Sequence, residues 1–111
     1  MSADQGPVSV VLADEPDFSL GQLQIRPSSR EVVAAGGDRE ILEPRVMQVL
    51  VVLARRRGQV VSRDQLIDEC WAGRVVGEDA INRCIARVRR LAEAYGGFSI
   101  ETIARVGYRL T

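Results

Sequence analysis

Residues 79–95 read DAINRCIARVRRLAEAY and carry two sets of side chains at helical spacing. Apolar residues stand at positions 81, 84, 85, 88, 92 and 95, whereas arginines stand at positions 83, 87 and 90. At about 100° of rotation per residue, the two sets fall on opposite faces of one helix. One face is therefore expected to be buried, and the other is expected to present arginines to an anionic partner.

The chain before this helix predicts a small antiparallel sheet of three or four strands. β-branched and apolar runs cover residues 8–12, 18–25, 30–34 and 39–42. Turn-forming proline, glycine, serine and aspartate residues separate these runs, as they do between short strands.

Two further helices are predicted between this sheet and the arginine-bearing helix. Pro44 opens the first, at a position where its missing N–H costs nothing, and Gly58 is expected to cap its end. Ser62 and Gln65 have the spacing of a capping box, which predicts the start of a second helix that ends at Gly73.

The third helix is predicted from Glu78 to Tyr95, after a loop at 72–77, and two glycines end it. Two β-rich segments follow at residues 98–103 and 108–110. They predict a hairpin in which Gly107 takes the positive φ that the turn needs.

The 15 acidic and 15 basic residues balance, but they are unevenly distributed. Residues 1–43 contain 8 acidic and 3 basic groups, a net charge of −5; residues 44–111 contain 7 and 12, a net charge of +5. Every basic residue is arginine, whose planar guanidinium suits phosphates and guanine edges. Because the arginine-bearing helix also precedes a hairpin, duplex DNA is the best candidate partner.

Other functional classes find little support in the sequence. No apolar run approaches the roughly 20 residues that span a bilayer, and the polar start predicts no secretory signal. We therefore expect a cytoplasmic protein with no membrane contact from this segment. With no histidine in the chain, we find no catalytic constellation and expect no enzyme, metal site or cofactor. Cys70 and Cys84 are expected to be reduced core residues.

Several short phrases occur in a characteristic order: LEPR (42–45), GQVVSR (58–63), Leu66 with Trp71, IARVRR (85–90), ETI (101–103) and GYRL (107–110). In this order they resemble the winged-helix DNA-binding domain of the OmpR/PhoB type, in particular CadC-like transcription regulators. The resemblance covers about residues 18–111 and leaves 1–17 as an N-terminal extension with a possible strand. It implies an α+β winged helix-turn-helix with a four-stranded N-terminal sheet, a three-helix core and a C-terminal β-hairpin wing.

The resemblance also implies functional roles. The third helix would enter the major groove of duplex DNA, and the wing at 104–107 would reach an adjacent minor groove or phosphates. The loop before the third helix would contact RNA polymerase through Arg74, Val75 and Val76. Tandem self-association on DNA is expected by analogy, and Val106 replaces a basic residue that CadC-like wings often carry.

The residues expected to contact DNA lie on the third helix and beside it, and the spacing on that helix predicts the base contacts. Positions 83 and 90 lie about 10 Å apart at 1.5 Å rise per residue, which suits a few adjacent base pairs. Base contacts are expected from Asn82, Arg83, Arg87 and Arg90. Backbone and wing contacts are expected from Arg63, Arg89 and Arg105.

Three alternatives remain open at this point. Arg90 could contact a phosphate instead of a base, since it lies near the helix end. Arg89 or Arg90 could pair with Glu93 on the same helix. The whole domain could instead be a protein–protein interaction module that uses its acidic N-terminal sheet.

Overall fold

The computed structural model describes residues 10–111. Its first layer is an antiparallel sheet of four strands in sequential order: β1 (Phe18–Leu20), β2 (Leu23–Arg26), β3 (Glu31–Val33) and β4 (Arg39–Ile41). Ile25 lies opposite Phe18 on one side and Val32 on the other, and both Ile25 and Val32 are buried. The predicted antiparallel sheet is therefore confirmed with four strands, although the run at 18–25, predicted as one strand, forms both β1 and β2.

Three helices pack behind this sheet: α1 (Pro44–Arg55), α2 (Arg63–Cys70) and α3 (Glu78–Tyr95). The capping box that begins α2 is complete. The Gln65 N–H donates to Ser62 Oγ at 3.1 Å, and the Ser62 N–H donates to Gln65 Oε1 at 2.8 Å. At the other end of α2, the Gly73 N–H donates to the Ile67 carbonyl oxygen at 3.1 Å. The predicted start of α2 is thus confirmed, whereas the helix ends at Cys70, three residues before the predicted Gly73.

The end of α1 differs from the prediction. This helix stops at Arg55, three residues before Gly58. The Gly58 N–H donates instead to the carbonyl oxygen of Leu110 at 2.8 Å. The prediction that Gly58 caps α1 is wrong, because its N–H bonds to the last strand of the chain and not to a carbonyl oxygen of the helix.

A second sheet contains three strands in the order β5-β7-β6, namely β5 (Val60–Ser62), β6 (Ile100–Ile103) and β7 (Gly107–Leu110). The predicted hairpin is formed by β6 and β7, but β5 was not predicted. It lies between α1 and α2 in the chain and pairs antiparallel with β7. Strand β5 ends directly before α2 and pairs with β7 of the wing. The wing is therefore anchored at the start of α2.

The turn of the hairpin is closed by the Val106 N–H, which donates to the Ile103 carbonyl oxygen at 2.9 Å. Arg105, with φ of 64°, holds the left-handed position that the sequence assigned to Gly107. The prediction for Gly107 is wrong. A Cβ at Gly107 would lie 2.0 Å from the Val61 carbonyl oxygen, so the glycine allows β7 to approach β5 closely.

The predicted strand over residues 8–12 is also wrong where the structure describes it. Its first two residues lie outside the described residues, and Leu12–Asp14 form a single 3-10 turn. Val10 is only 4% exposed; its N–H donates to the Glu69 carbonyl oxygen and its own carbonyl oxygen accepts from Gln48 Nε2. This part of the predicted extension packs on α1 and α2. The division of the chain into 1–17 and 18–111 stays a prediction.

One hydrophobic core joins the two sheets and the three helices. Trp71 and Tyr108 both belong to it. Cys70 and Cys84 are buried in it as free thiols, as the sequence predicted. Across residues 10–111, no helix combines the length and the apolar character that crossing a membrane requires.

Candidate nucleic-acid interface

Helix α3 has one buried and one exposed side. The buried residues are Ile81, Cys84, Ile85, Val88 and Leu91. Position 91 was missing from the predicted apolar set, yet Leu91 is fully buried. Among the exposed residues of the opposite side, we call four the outer face: Asn82, Arg83, Ala86 and Arg90. Two of the three predicted arginines therefore stand on a face that is open to solvent.

Arg83 and Arg90 make no ion pair with any residue in the described range 10–111, and the same holds for Arg74 and Arg105. Two carboxylates that share the exposed side of α3, those of Asp79 and Glu93, also form no ion pair there. The outer face thus presents guanidinium groups that the described part of the molecule does not neutralise.

Arg87 differs from its two neighbours, because it lies at the edge of the outer face and is partly buried. Its Nη2 lies 2.6 Å from Glu40 Oε1 on β4. The second oxygen of the same carboxylate accepts a hydrogen bond of 2.6 Å from Tyr95 Oη. Hydrogen bonds from Tyr95 and Arg87 lower the pKa of Glu40, and the bond to Glu40 raises the pKa of Tyr95.

Arg89 lies at the other edge of α3, where it forms hydrogen bonds with strand β6. Its Nε donates to the Ile100 carbonyl oxygen at 3.4 Å, and its Nη2 donates to Thr102 Oγ1. The alternative pairing of Arg89 or Arg90 with Glu93 does not occur among the described ion pairs. The Arg89 guanidinium therefore stays near the surface but is fastened to β6.

The beginning of α3 is connected to α2 and to the wing. Arg63 Nη1, in the first turn of α2, lies 3.2 Å from Glu78 Oε1. Tyr108 Oη, on β7, donates to Asn82 Oδ1 at 3.4 Å. These contacts set α3 at a defined angle to α2 and to the hairpin, with Arg63 and Asn82 both close to its N-terminal end.

The wing tip and the loop before α3 are exposed. Arg105 extends from the turn in a left-handed conformation that a residue with a Cβ rarely adopts. In the loop, Arg74 and Val75 are exposed, whereas Val76 is partly buried and packs against the core. Only two of the three residues predicted to face a polymerase are therefore open to a partner.

A groove of about 760 Å³ runs beside the outer face, between α3 and the junction of β4 with α1. Arg83, Arg87 and Arg90 line one wall, and Arg45 lines the other. Arg45 stacks on Trp71, with its Cζ 5.2 Å from the ring centroid. Arg45 was not predicted as part of this surface, because its position next to α3 depends on the packing of α1. Within residues 10–111, no cluster of three or more potential metal ligands is present.

Comparison with known protein families places this geometry in context. Residues 37–110 match the model of the family described as "Transcriptional regulatory protein, C terminal". The chain belongs to this family. The transcriptional activator CadC of Escherichia coli is a relative of this chain and is 30% identical to it over 99 residues. The match covers 86% of this chain but only 19% of CadC, so the chain spans less than a fifth of that relative.

Solved structures agree with the family assignment. The DNA-binding domain of E. coli CadC superimposes with a TM-score of 0.75 at 30% identity, over 87% of this chain and 92% of that one. The DNA-binding domain of Klebsiella pneumoniae RstA, solved in complex with the RstA box, gives a TM-score of 0.68 at 25% identity, over 87% and 98%. The fold is the winged helix of the OmpR/PhoB type, as the sequence predicted.

Proposed function

We propose that this chain is the DNA-binding part of a sequence-specific transcription regulator. The observation that carries the proposal is the exposed pair Arg83 and Arg90 on the outer face of α3, neither of them in a described ion pair. RstA, which shares this fold, was solved in complex with the RstA box, which supports a DNA ligand here.

In this proposal α3 reads the major groove of double-stranded DNA. Base contacts come from Asn82, Arg83 and Arg90, and from Arg87 once it leaves Glu40. An arginine that donates two hydrogen bonds to guanine discriminates by about 1–3 kcal/mol against other bases. Arg90 lies nearer the helix end, where a phosphate is an equally suitable acceptor.

Backbone contacts come from arginines around the outer face. Arg63 lies beside the N-terminal end of α3, Arg89 lies at the edge of α3 that contacts β6, and Arg105 extends from the wing toward a minor groove or phosphates. These contacts supply affinity that depends on salt but carries little sequence information. The exposed Arg74 and Val75 form the surface for RNA polymerase, and tandem copies of the domain bind adjacent half-sites.

The same proposal requires no catalysis and implies a cellular location. DNA readout requires neither a cofactor nor an enzyme activity, and a regulator of this family that binds chromosomal DNA acts in the cytoplasm. CadC and the family to which this chain belongs are described as transcriptional regulators, which supports this role.

The alternative, an interaction module that uses the acidic sheet, has less physical support. Two carboxylates from the acidic part of the chain pair with arginines of residues 44–111. Glu15 pairs with Arg55, and Glu40 pairs with Arg87. The sheet therefore offers less free negative charge to a partner than its sequence indicates.

The experiment is enrichment of bound duplexes from a random DNA pool, followed by binding titrations at low and moderate salt. We expect one recurrent motif, tighter binding to that motif than to a scrambled duplex, and weaker binding to both at higher salt. Absence of any duplex binding at low salt would overturn the proposal and would favour the interaction module.

A further inference from the structure

Glu40 is the one carboxylate among residues 10–111 that pairs with an arginine of α3. Its Oε1 accepts from Arg87 Nη2 and its Oε2 accepts from Tyr95 Oη, each at 2.6 Å. The two side chains of the ion pair are 25% and 32% exposed for Arg87 and Glu40. Both oxygens of one β4 side chain are thus occupied by donors from the candidate reading helix.

This contact distinguishes Arg87 from Arg83 and Arg90, the other two arginines predicted on the exposed face of α3. Arg83 and Arg90 have no described ion pair to break before they contact DNA. Arg87 already pairs with a charged acceptor, the Glu40 carboxylate. A hydrogen bond between two charged groups is about twice as strong as one between neutral groups. Arg87 therefore moves to DNA only if the new acceptor compensates for the loss of Glu40.

We propose that Glu40 competes with DNA for Arg87, so that Arg87 contacts DNA only where the new acceptors outweigh the carboxylate. The inference rests on the proposed DNA-binding function. A guanine edge offers two acceptors in the geometry that a guanidinium requires, and it can replace the carboxylate fully. A phosphate on an unrelated sequence offers only a general electrostatic gain. Glu40 thus weakens binding most on the selected duplex, where Arg87 has to leave the carboxylate, and less on an unrelated duplex, where Arg87 can stay on it.

Tyr95 makes this exchange reversible. When Arg87 leaves, the carboxylate keeps the hydrogen bond from Tyr95 Oη and remains open to solvent on its other side. Release of Arg87 therefore does not leave a buried charge without a partner, which would be costly. The carboxylate stays in place to receive the guanidinium again when DNA dissociates.

The test compares Glu40→Gln with Glu43→Gln on the selected duplex and on a scrambled duplex. Glu43 is a matched control, because it is exposed, lines the same groove and has no described ion pair. Glu40→Gln is expected to tighten binding to the selected duplex by about two- to fivefold, the size of a surface ion pair, because Arg87 no longer has to leave a carboxylate. Binding to the scrambled duplex should tighten by no more than this. On the scrambled duplex, where Arg87 becomes able to contact a phosphate, the plot of log affinity against log salt should steepen by up to about 0.9.

Three controls decide the result. Glu40→Asp keeps the charge but shortens the side chain, so it should weaken the pair with Arg87 and tighten binding to the selected duplex in the same direction. In an Arg87→Ala background, Glu40→Gln should do no more than Glu43→Gln. Equal effects of Glu40→Gln and Glu43→Gln, or an effect of Glu40→Gln that persists without Arg87, would overturn the inference while leaving DNA binding intact. Absence of duplex binding by the unsubstituted chain would instead overturn the proposed function.

Discussion

Gly107 on β7 packs directly against the backbone of Val61 on β5. A Cβ at Gly107 would lie 2.0 Å from the Val61 carbonyl oxygen and 2.8 Å from the Cα of Ser62. Since Ser62 is also the cap residue of α2, this contact fixes the wing relative to the second helix. The position of Arg105 relative to α3 therefore depends on a close approach of two backbones.

We predict that Gly107→Ala destabilises the domain by about 3 kcal/mol, the upper range for a core substitution that adds volume, because the atoms in its way are backbone. Gly36→Ala is the matched control, since a Cβ there meets nothing within 4 Å. Urea unfolding measures both. Equal free energies of unfolding for the two variants would contradict the contact.

Arg105 occupies a strained left-handed conformation, with φ of 64°, that glycine adopts freely. We expect Arg105→Gly to raise the free energy of unfolding by about 0.5–1 kcal/mol, because it relieves the Cβ clash at some cost in chain entropy. The same variant should bind DNA more weakly and lose about one unit of salt slope.

Ala72→Gly is the control for Arg105→Gly. Ala72 is exposed, also has a positive φ, of 54°, and carries no charge. It should gain stability in thermal unfolding and keep the DNA affinity of the unsubstituted chain. Unchanged DNA binding by Arg105→Gly would contradict a contact between Arg105 of the wing and DNA.

The lowered pKa of Glu40 gives a pH dependence with a definite sign. Hydrogen bonds from Tyr95 and Arg87 hold this pKa below its ordinary value of 4.5, so the folded protein binds fewer protons here than the unfolded chain does. The stabilisation is present above pH 4.5 and is lost as the pH falls through the folded-state pKa. Urea unfolding of the unsubstituted chain and Glu40→Gln should differ at pH 7 and converge toward pH 3. A difference that does not depend on pH would contradict the ion pair.

The buried cysteines should be unreactive. Burial raises the pKa of Cys70 to about 12 and also raises the pKa of Cys84, so both thiols stay protonated near neutral pH. We expect an aromatic disulfide reagent to label them at pH 8 only as fast as the protein opens, and to label both at once in urea. Rapid labelling of the native protein would contradict their burial.

Local sequence signals predicted those parts of the fold that depend on neighbouring residues. The pair Ser62 and Gln65 predicted the start of α2 because a capping box needs only four consecutive positions. Strand β5 was missed because three residues between two helices carry no periodicity, and they become a strand only by pairing with β7. Gly107 was misassigned for a related reason, since its role depends on the distant Val61.

The candidate interface shows the same division. The alternation of apolar residues and arginines predicted the exposure of Arg83 and Arg90, because a helix fixes which side chains share a face. The partner of Arg87 could not be read from that spacing, since Glu40 lies 47 residues away in the chain. Arg45 was missed as well, because only the packing of α1 brings it to the groove beside α3.

The central claim is that guanidinium groups on the outer face of α3 read duplex DNA. The most direct measurement is the affinity of Arg83→Ala for the selected duplex and for single-base variants of it, with Arg26→Ala on the N-terminal sheet as a control. We predict that Arg83→Ala loses about 1–3 kcal/mol and tolerates any base at one position, whereas Arg26→Ala keeps both affinity and preference. An Arg83→Ala variant with unchanged affinity and unchanged base preference would contradict the account.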